Sequence, residues 1–295
     1  MYNSAITLEA LIVLDAIDNR GSFAAAAEQL NKVPSALSYI VQKLEEQLAV
    51  TLFVRQGRRS VLTPAGRHLL DEGRKVLAAV SKISEQTQTI SHGWEPKLRI
   101  GIDSILDISQ VLPAIQQFLQ AHPNIEIDIS EEVLNGAWEA LIEDRVDIML
   151  GAPAPIPNHQ GLRAEPFCQV NNVLVAATNH PINHLSQPIS RYDIQQFRTI
   201  IVHDSAKRII ARSANIIEQS HHFYVQTVEQ KLQAIIAGIG IGFLPESRIT
   251  KQLERGELVV IDIEQPVNPV DLYMAWKLVN KGKALQSFRQ CLAAR

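Results

Sequence analysis

The sequence predicts an α/β protein with a small all-helical start, one long connecting helix and a two-lobed α/β remainder. Three observations predict it. Apolar residues recur at helical spacing from Leu8 to about Leu48, a four-three alternation runs from Leu69 to Ile90, and strand and helix patterns alternate from Leu98 onward. A length of 295 residues suits two or three domains, and 46% apolar with 20% charged residues excludes a disordered chain or a small disulfide-stapled scaffold.

Short turns at Asn19–Gly21 and Asn31–Val33 divide the opening segment into three helices. Ser22 is placed to cap the second, whose Phe23, Ala26, Ala27 and Leu30 stand at i, i+3, i+4 and i+7. The small side chains of Ala24–Ala27 permit a close crossing by the next helix. That helix opens with Pro34, in a first turn where a missing N–H costs nothing. It buries Leu37, Val41, Leu44 and Leu48 and turns Ser35, Ser38, Tyr39 and Gln42 outward. Thr51–Val54 and Ser60–Leu62 read as a hairpin around Arg55-Gln56-Gly57-Arg58-Arg59. Thr63-Pro64 starts a further helix, along which Leu69, Gly73, Val76, Val80, Ile83, Thr87 and Ile90 trace the seam of a two-stranded coiled coil. Dimerisation is expected through Leu69, Val76, Val80, Ile83 and Ile90; a long helix packed on its own domain is the alternative.

After Trp94-Glu95-Pro96 the pattern is strand Leu98–Ile102, helix Val111–Ala121, strand Ile125–Ile129, helix Ala137–Glu143 and strand Val146–Leu150. This order predicts a parallel sheet with helices on both faces. A second unit of the same kind begins near Asn172: strand Val173–Ala176, helix Tyr192–Gln196, strands Thr199–Val202 and His222–Thr227, helix Glu229–Ala237 and strand Ile241–Phe243. The chain returns through Asp271–Trp276 and ends in helix Ala284–Ala294. Two such lobes place a small-molecule cleft at their strand ends.

The balance of 28 basic and 31 acidic residues, net −3, gives no global attraction to nucleic acid. Local charge differs. Between Thr51 and Leu70 stand Arg55, Arg58, Arg59 and Arg67 with no acid, whereas residues 1–75 hold nine Lys/Arg against eight Asp/Glu. The positive field is therefore expected at the hairpin.

The residues Gly21-Ser22-Phe23, Ala26-Ala27, Leu30, Ser38, Leu44-Glu45, Leu52-Phe53, Arg55, Leu62-Thr63 and Gly66 resemble the N-terminal domain of LysR-type transcriptional regulators. Leu98-Arg99-Ile100-Gly101, His122-Pro123, Val146-Asp147-Ile148, His180-Pro181, Ala237-Gly238-Ile239-Gly240 and Leu244-Pro245 look like the effector-binding domain of that family, so the match runs the whole chain, more loosely in its second half. The resemblance implies a winged helix-turn-helix over residues 1–64, a dimerising linker helix over 65–93 and a periplasmic-binding-protein-like effector domain over 94–295. Lobe I would take about 96–168 and 270–295, and lobe II about 169–269. It also implies a homodimer, assembling further into a homotetramer, with double-stranded operator DNA and a small effector as partners.

Carried over residue by residue, the base-reading face falls on Val33, Pro34, Ser35, Ser38 and Tyr39, with Ser22 and Gln42 beside it and Arg55, Arg58 and Arg59 on the wing. Pro34 stands where family members commonly have Gln, and Tyr39 where many have Arg. Two bidentate groups are thus missing, each worth about 1–3 kcal/mol of base discrimination. Hydroxyl, apolar and amide contacts from Ser38, Tyr39 and Gln42, with shape readout by the wing, are expected to replace them.

The effector site is expected just past the strand ends: Asp103, Ser104, Glu132, Val133, His203, Asp204, Ser205, Thr227 and Val228. Family members often carry a small hydroxyl where Asp103 stands, suited to a carboxylate. An ionised Asp103, with Glu132 and Asp204 near, favours a cationic or polar neutral ligand instead, with Trp138 or Tyr224 as an aromatic face if either reaches the cleft. Helix capping is the competing role for these acids.

Other classes fit less well. Gly238, Gly240 and Gly242 close a helix and open a strand, the reverse of a dinucleotide site. Pro181 spoils a helical alignment of His180 and His184, and HExxH, CxxC and GxSxG are all missing, so neither an enzyme nor a metal or cofactor is expected. Cys168 and Cys291 read as buried thiols in a reducing compartment, with a redox-sensing regulator built on Cys168 as the alternative. A transport solute-binding protein would need export. Asp15 and Asp18 interrupt the first apolar stretch and no basic residue leads it, unlike a signal peptide, and no membrane span is read. Cytoplasmic location is expected.

Overall fold

The computed structural model describes residues 5–56 and 59–293 and divides the chain into two compact units, 1–91 and 92–295. In the first, α1 (Leu8–Arg20) starts on the Thr7 hydroxyl and stops at Gly21, whose φ of 70° suits a residue without a Cβ. The Ser22 hydroxyl caps α2 (Phe23–Gln29), and α3 (Pro34–Leu48) begins on its proline. Strands β1 (Phe53–Gln56) and β2 (Arg59–Leu62) pair antiparallel, and α4 (Pro64–Ser91) follows. Buried Leu11, Leu14, Ile17, Ala26, Ala27, Leu37, Val41, Leu44, Leu52 and Leu70 form one core.

Two seam expectations need correction. Leu69 packs against this core, and Gly73 faces α1, where an added Cβ would lie 2.6 Å from the Leu11 side chain. The stripe left uncovered is Val76, Ile83 and Ile90, the last two 61% and 59% exposed, with Val80 half-buried among them.

The second unit has two lobes. Lobe I comprises β3 (Lys97–Asp103), α5 (Leu112–Ala121), β4 (Glu126–Glu132), α6 (Asn135–Ile142), β5 (Ile148–Pro153) and β6 (Leu162–Val170). Lobe II comprises β7 (Asn172–Ala177), α7 (Arg191–Gln195), β8 (Thr199–Val202), β9 (His222–Val225), α8 (Val228–Ile236), β10 (Gly242–Pro245), α9 (Glu246–Glu254) and β11 (Leu258–Val260). The chain returns to lobe I through β12 (Val270–Lys277) and ends in α10 (Lys283–Ala293). The crossings lie at Asn171 and between Val260 and Val270.

The sheets are mixed rather than parallel. Lobe I has the order β4-β3-β5-β12-β6, with β12 antiparallel to both neighbours. In lobe II, β7 is antiparallel to β10 and β11, β8 runs parallel to β9, and a bridge from Thr199 to Ile241 joins the two pairs. Three elements escape the sequence pattern. β6 carries Pro166 and lies at a sheet edge, where a missing N–H is tolerated. α9 buries only Ile249, and β11 has three residues.

Arg67 is not free charge for the hairpin. It makes a bidentate pair with Asp18, both contacts 3.0 Å, and Arg74 joins Asp15 at 2.8 Å and Asp18 at 3.0 Å, so α4 is tied to α1. Burial pushes the Asp18 carboxyl up, but the hydrogen bonds and charges of Arg67 and Arg74 outweigh it and hold the group below its usual value. A carboxylate depressed in the folded state stabilises above its unfolded pKa and loses that contribution as pH falls through its folded one. Thermal unfolding of the full chain followed by circular dichroism should show the midpoint falling on acidification below about pH 4. Asp18→Asn should lower the neutral-pH midpoint and flatten that acid limb.

Candidate nucleic-acid interface and ligand cleft

The outer face of α3 is open. Val33, Pro34, Ser35, Ser38, Tyr39 and Gln42 are all exposed, Tyr39 at 65%, while Leu37, Val41 and Leu44 on the opposite face are buried. The Ser38 hydroxyl donates to Pro34 O at 3.0 Å, and the Gln42 amide to Glu46 at 2.9 Å. Ser22 is half-buried and holds the Ala25 N–H. Arg55 and Arg59 are exposed on the two strands of the wing, and Arg58 lies outside the described residues.

The wing is placed by groups that composition alone does not reveal. Glu45 on α3 accepts from the main-chain N–H of Leu52 at 2.6 Å and of Phe53 at 3.1 Å, so the helix and the wing are fixed by one carboxylate. The Phe53 ring meets Phe23 of α2 edge-on, centroids 5.6 Å apart, and Ser60 N donates to Gly21 O. Gly66 is required beneath, since a Cβ there would fall 2.2 Å from Leu52 O.

Between the lobes of the second unit lies a cavity of about 270 Å³. Of the expected residues, Asp103, Ser104, Val133 and Val228 line it; Glu132, His203, Asp204, Ser205 and Thr227 do not. Each of those five is engaged elsewhere. Glu132 pairs with Arg145 at 2.6 Å and accepts from the Ser205 hydroxyl at 2.7 Å. Asp204 takes four main-chain N–H groups, from Asn135, Gly136, Ala206 and Arg212, at 2.7–3.2 Å. Thr227 caps α8, and His203 stacks on Tyr224. Trp138 is buried with its indole on Pro153 O, so Phe243 is the aromatic residue of the lining.

Asp103 acts as a local organiser. Its two oxygens accept from Ile105 N at 3.0 Å and Leu134 N at 2.9 Å, and Leu134 has φ 52° and ψ −119°, a strained conformation for a leucine. Burial drives the Asp103 carboxyl up to about 7, main-chain N–H groups opposing it. The expectation of a cation-attracting cluster of Asp103, Glu132 and Asp204 is therefore corrected: those acids are spent on internal contacts. The lining also contains Lys231, Arg212, Asn172 and Ser213, which pattern reading passed over. Lys231 carried a signal, being a charge on the apolar stripe Val228, Leu232, Ile235 of α8. The Cys168 thiol is half-buried and pushed up by burial, which disfavours the reactive thiolate.

Residues 8–67 match the model described as bacterial regulatory helix-turn-helix protein, lysR family, and residues 91–295 match that of the LysR substrate binding domain. The chain belongs to the LysR family of transcriptional regulators. The regulator is similar to the probable HTH-type transcriptional regulator YhaJ of Escherichia coli, 38% identical over 280 residues covering 95% of this chain and 93% of that protein. It is also similar to PunR of Escherichia coli, 31% identical, covering 93% and 89%. Its fold resembles a mutant OxyR from Corynebacterium glutamicum, with TM-score 0.57, 18% identity and coverage of 99% and 93%. It likewise resembles the Vibrio cholerae virulence activator AphB, with TM-score 0.50, 19% identity and coverage of 98% and 99%. The curated relatives are transcriptional regulators, not enzymes. No helix among the described residues is long and apolar enough to cross a membrane.

Two substitutions test the carboxylates as organisers. Glu45→Ala strands two N–H groups and should destabilise by roughly 2–4 kcal/mol in denaturant titration. Asp204→Ala strands four and should cost at least as much with no ligand present, an effect that a ligand-contacting acid would not produce.

Proposed function

We propose that this regulator reads operator DNA through the exposed face of α3 and the arginines of its wing, and that a small effector in the interlobe cavity switches the response. The observation that carries the reading is the solvent-facing run Val33, Pro34, Ser35, Ser38, Tyr39 and Gln42 beside exposed Arg55 and Arg59 in one rigidly tied unit. No charged side chain stands on that α3 run, so base contact falls to hydroxyl, apolar and amide groups while guanidiniums hold phosphates or a narrow minor groove. The stripe of Val76, Val80, Ile83 and Ile90 on α4 is the proposed dimer seam, with pairing of dimers into a tetramer beyond it. A working place beside chromosomal DNA puts the regulator in the cytoplasm.

Ligand closure of the two lobes would alter how linked protomers space their DNA readers. By linkage, DNA then changes ligand affinity by the same factor that the ligand changes DNA affinity. Ser104 and Leu134 belong to lobe I and Lys231 and Phe243 to lobe II, so one ligand contacts both.

Footprinting on genomic fragments, with and without candidate ligands, tests the whole reading; protection of no specific sequence overturns it. In anisotropy titrations, Tyr39→Ala should reduce operator-against-random discrimination by about 1–3 kcal/mol. Arg59→Ala should weaken binding to all sequences alike and reduce the slope of log K against log salt by about 1. An unchanged discrimination in Tyr39→Ala would remove that residue from the base-reading face.

A further inference from the structure

Lys231 is the unexplained group of the cavity. It is 7% exposed and lines the space between the lobes, and its ammonium has no hydrogen-bond or ion-pair partner among the described residues. A buried cation without a partner is costly, and proteins rarely retain one that nothing compensates. The stem is held by close approach to Gly242, where an added Cβ would sit 2.7 Å from Lys231 Cε.

Other donors are idle at the same place. Ser104, from lobe I, lines the cavity at 3% exposure with no partner for its hydroxyl among the described residues. Asn172, from lobe II, also lines it, and its buried side-chain Nδ2 is unpartnered. Val228 opens α8 at the cavity wall, adding the positive end of that helix. The carboxylate of the lining, by contrast, is engaged. Asp103 gives both oxygens to main-chain N–H groups, and burial leaves it close to half neutral near pH 7. Arg212 of the lining donates to Ala154 O, and Lys231 is a second cation there, with no side-chain partner among the described residues.

We infer that the effector of this cleft, the site on which the proposed function rests, is a small organic carboxylate: its anionic head meets Lys231, with Ser104 and Asn172 as further donors. Its apolar body lies among Val133, Leu134, Val202, Val228 and Phe243. A buried ammonium with few donors beside it, within a largely apolar wall, suits a monoanion with a hydrocarbon body better than a phosphate, which needs more donors. Lys231, with its pKa lowered by burial to about 8, is still mostly protonated at pH 7. Donors from both lobes would be satisfied by one bound group, which favours the closed arrangement.

The test is calorimetric titration of the full chain at pH 7 with 3-methylbutanoate, 3-methylbutylamine, 3-methylbutanamide and inorganic phosphate. The acid should bind at least about tenfold more tightly than the other three, a difference of about 1.4 kcal/mol. Lys231→Met, which keeps the stem and removes the charge, should lose at least about tenfold in affinity for the acid without lowering the ligand-free unfolding midpoint. Should that variant fail to fold, Asn172→Asp carries the test and should weaken the acid by repulsion. Tighter binding of the amine, the amide or phosphate overturns the inference, as do undetectable binding of the acid and undiminished affinity in the variant. Operator binding measured on the same preparations separates the two readings: protein that binds DNA but prefers the amine sinks this inference alone.

Discussion

Carboxylates that turn inward to satisfy main-chain N–H groups are the constraint on which both functional surfaces depend. Glu45 holds Leu52 and Phe53, Asp103 holds Ile105 and Leu134, Asp204 holds four donors of two lobes, and Glu139 holds Lys207 and Arg208. Charge-assisted bonds of this kind are about twice as strong as neutral ones, and removing the acceptor strands the donors. They also consume negative charge. At the cleft this commits Asp103 and Asp204 to main-chain donors, while Lys231 lines the cavity without a side-chain partner among the described residues.

The same device explains how loops acquire precise shape. The loop at 204–206 sits against the start of α6, with Ser205 bonded to Glu132 and Val133, and glycine is obligatory at position 136 because a Cβ would lie 1.8 Å from the Ser205 hydroxyl. Leu134 is kept in a strained backbone state by the Asp103 bond at the rim of the same cavity.

On the DNA side, rigidity comes from different chemistry. Two arginines of α4 grip Asp15 and Asp18 of α1, and an edge-on pair of phenylalanines seats the wing on α2. α3 is thereby presented with its apolar side locked in the core and its polar side exposed. Within such a frame proline at 34 and tyrosine at 39 stand on the exposed side of α3, outside the packed core of the unit.

Periodicity and caps made most of the architecture legible in the sequence: the three opening helices, the hairpin, the long helix and the alternation of strands and helices follow from local spacing and from Ser22, Pro34 and Pro64. The exposed face of α3 was legible for the same reason, since a helix that buries Leu37, Val41 and Leu44 must turn Ser38 and Tyr39 outward. What tertiary structure decided was partnership. Sequence cannot say that Arg67 meets Asp18, that β12 returns antiparallel between β5 and β6, or that Asp204 and Glu132 serve the fold while Lys231 faces the cavity. Side-chain direction along an element is set by short-range geometry, but the charge left available at a site is set by contacts between residues far apart in the chain.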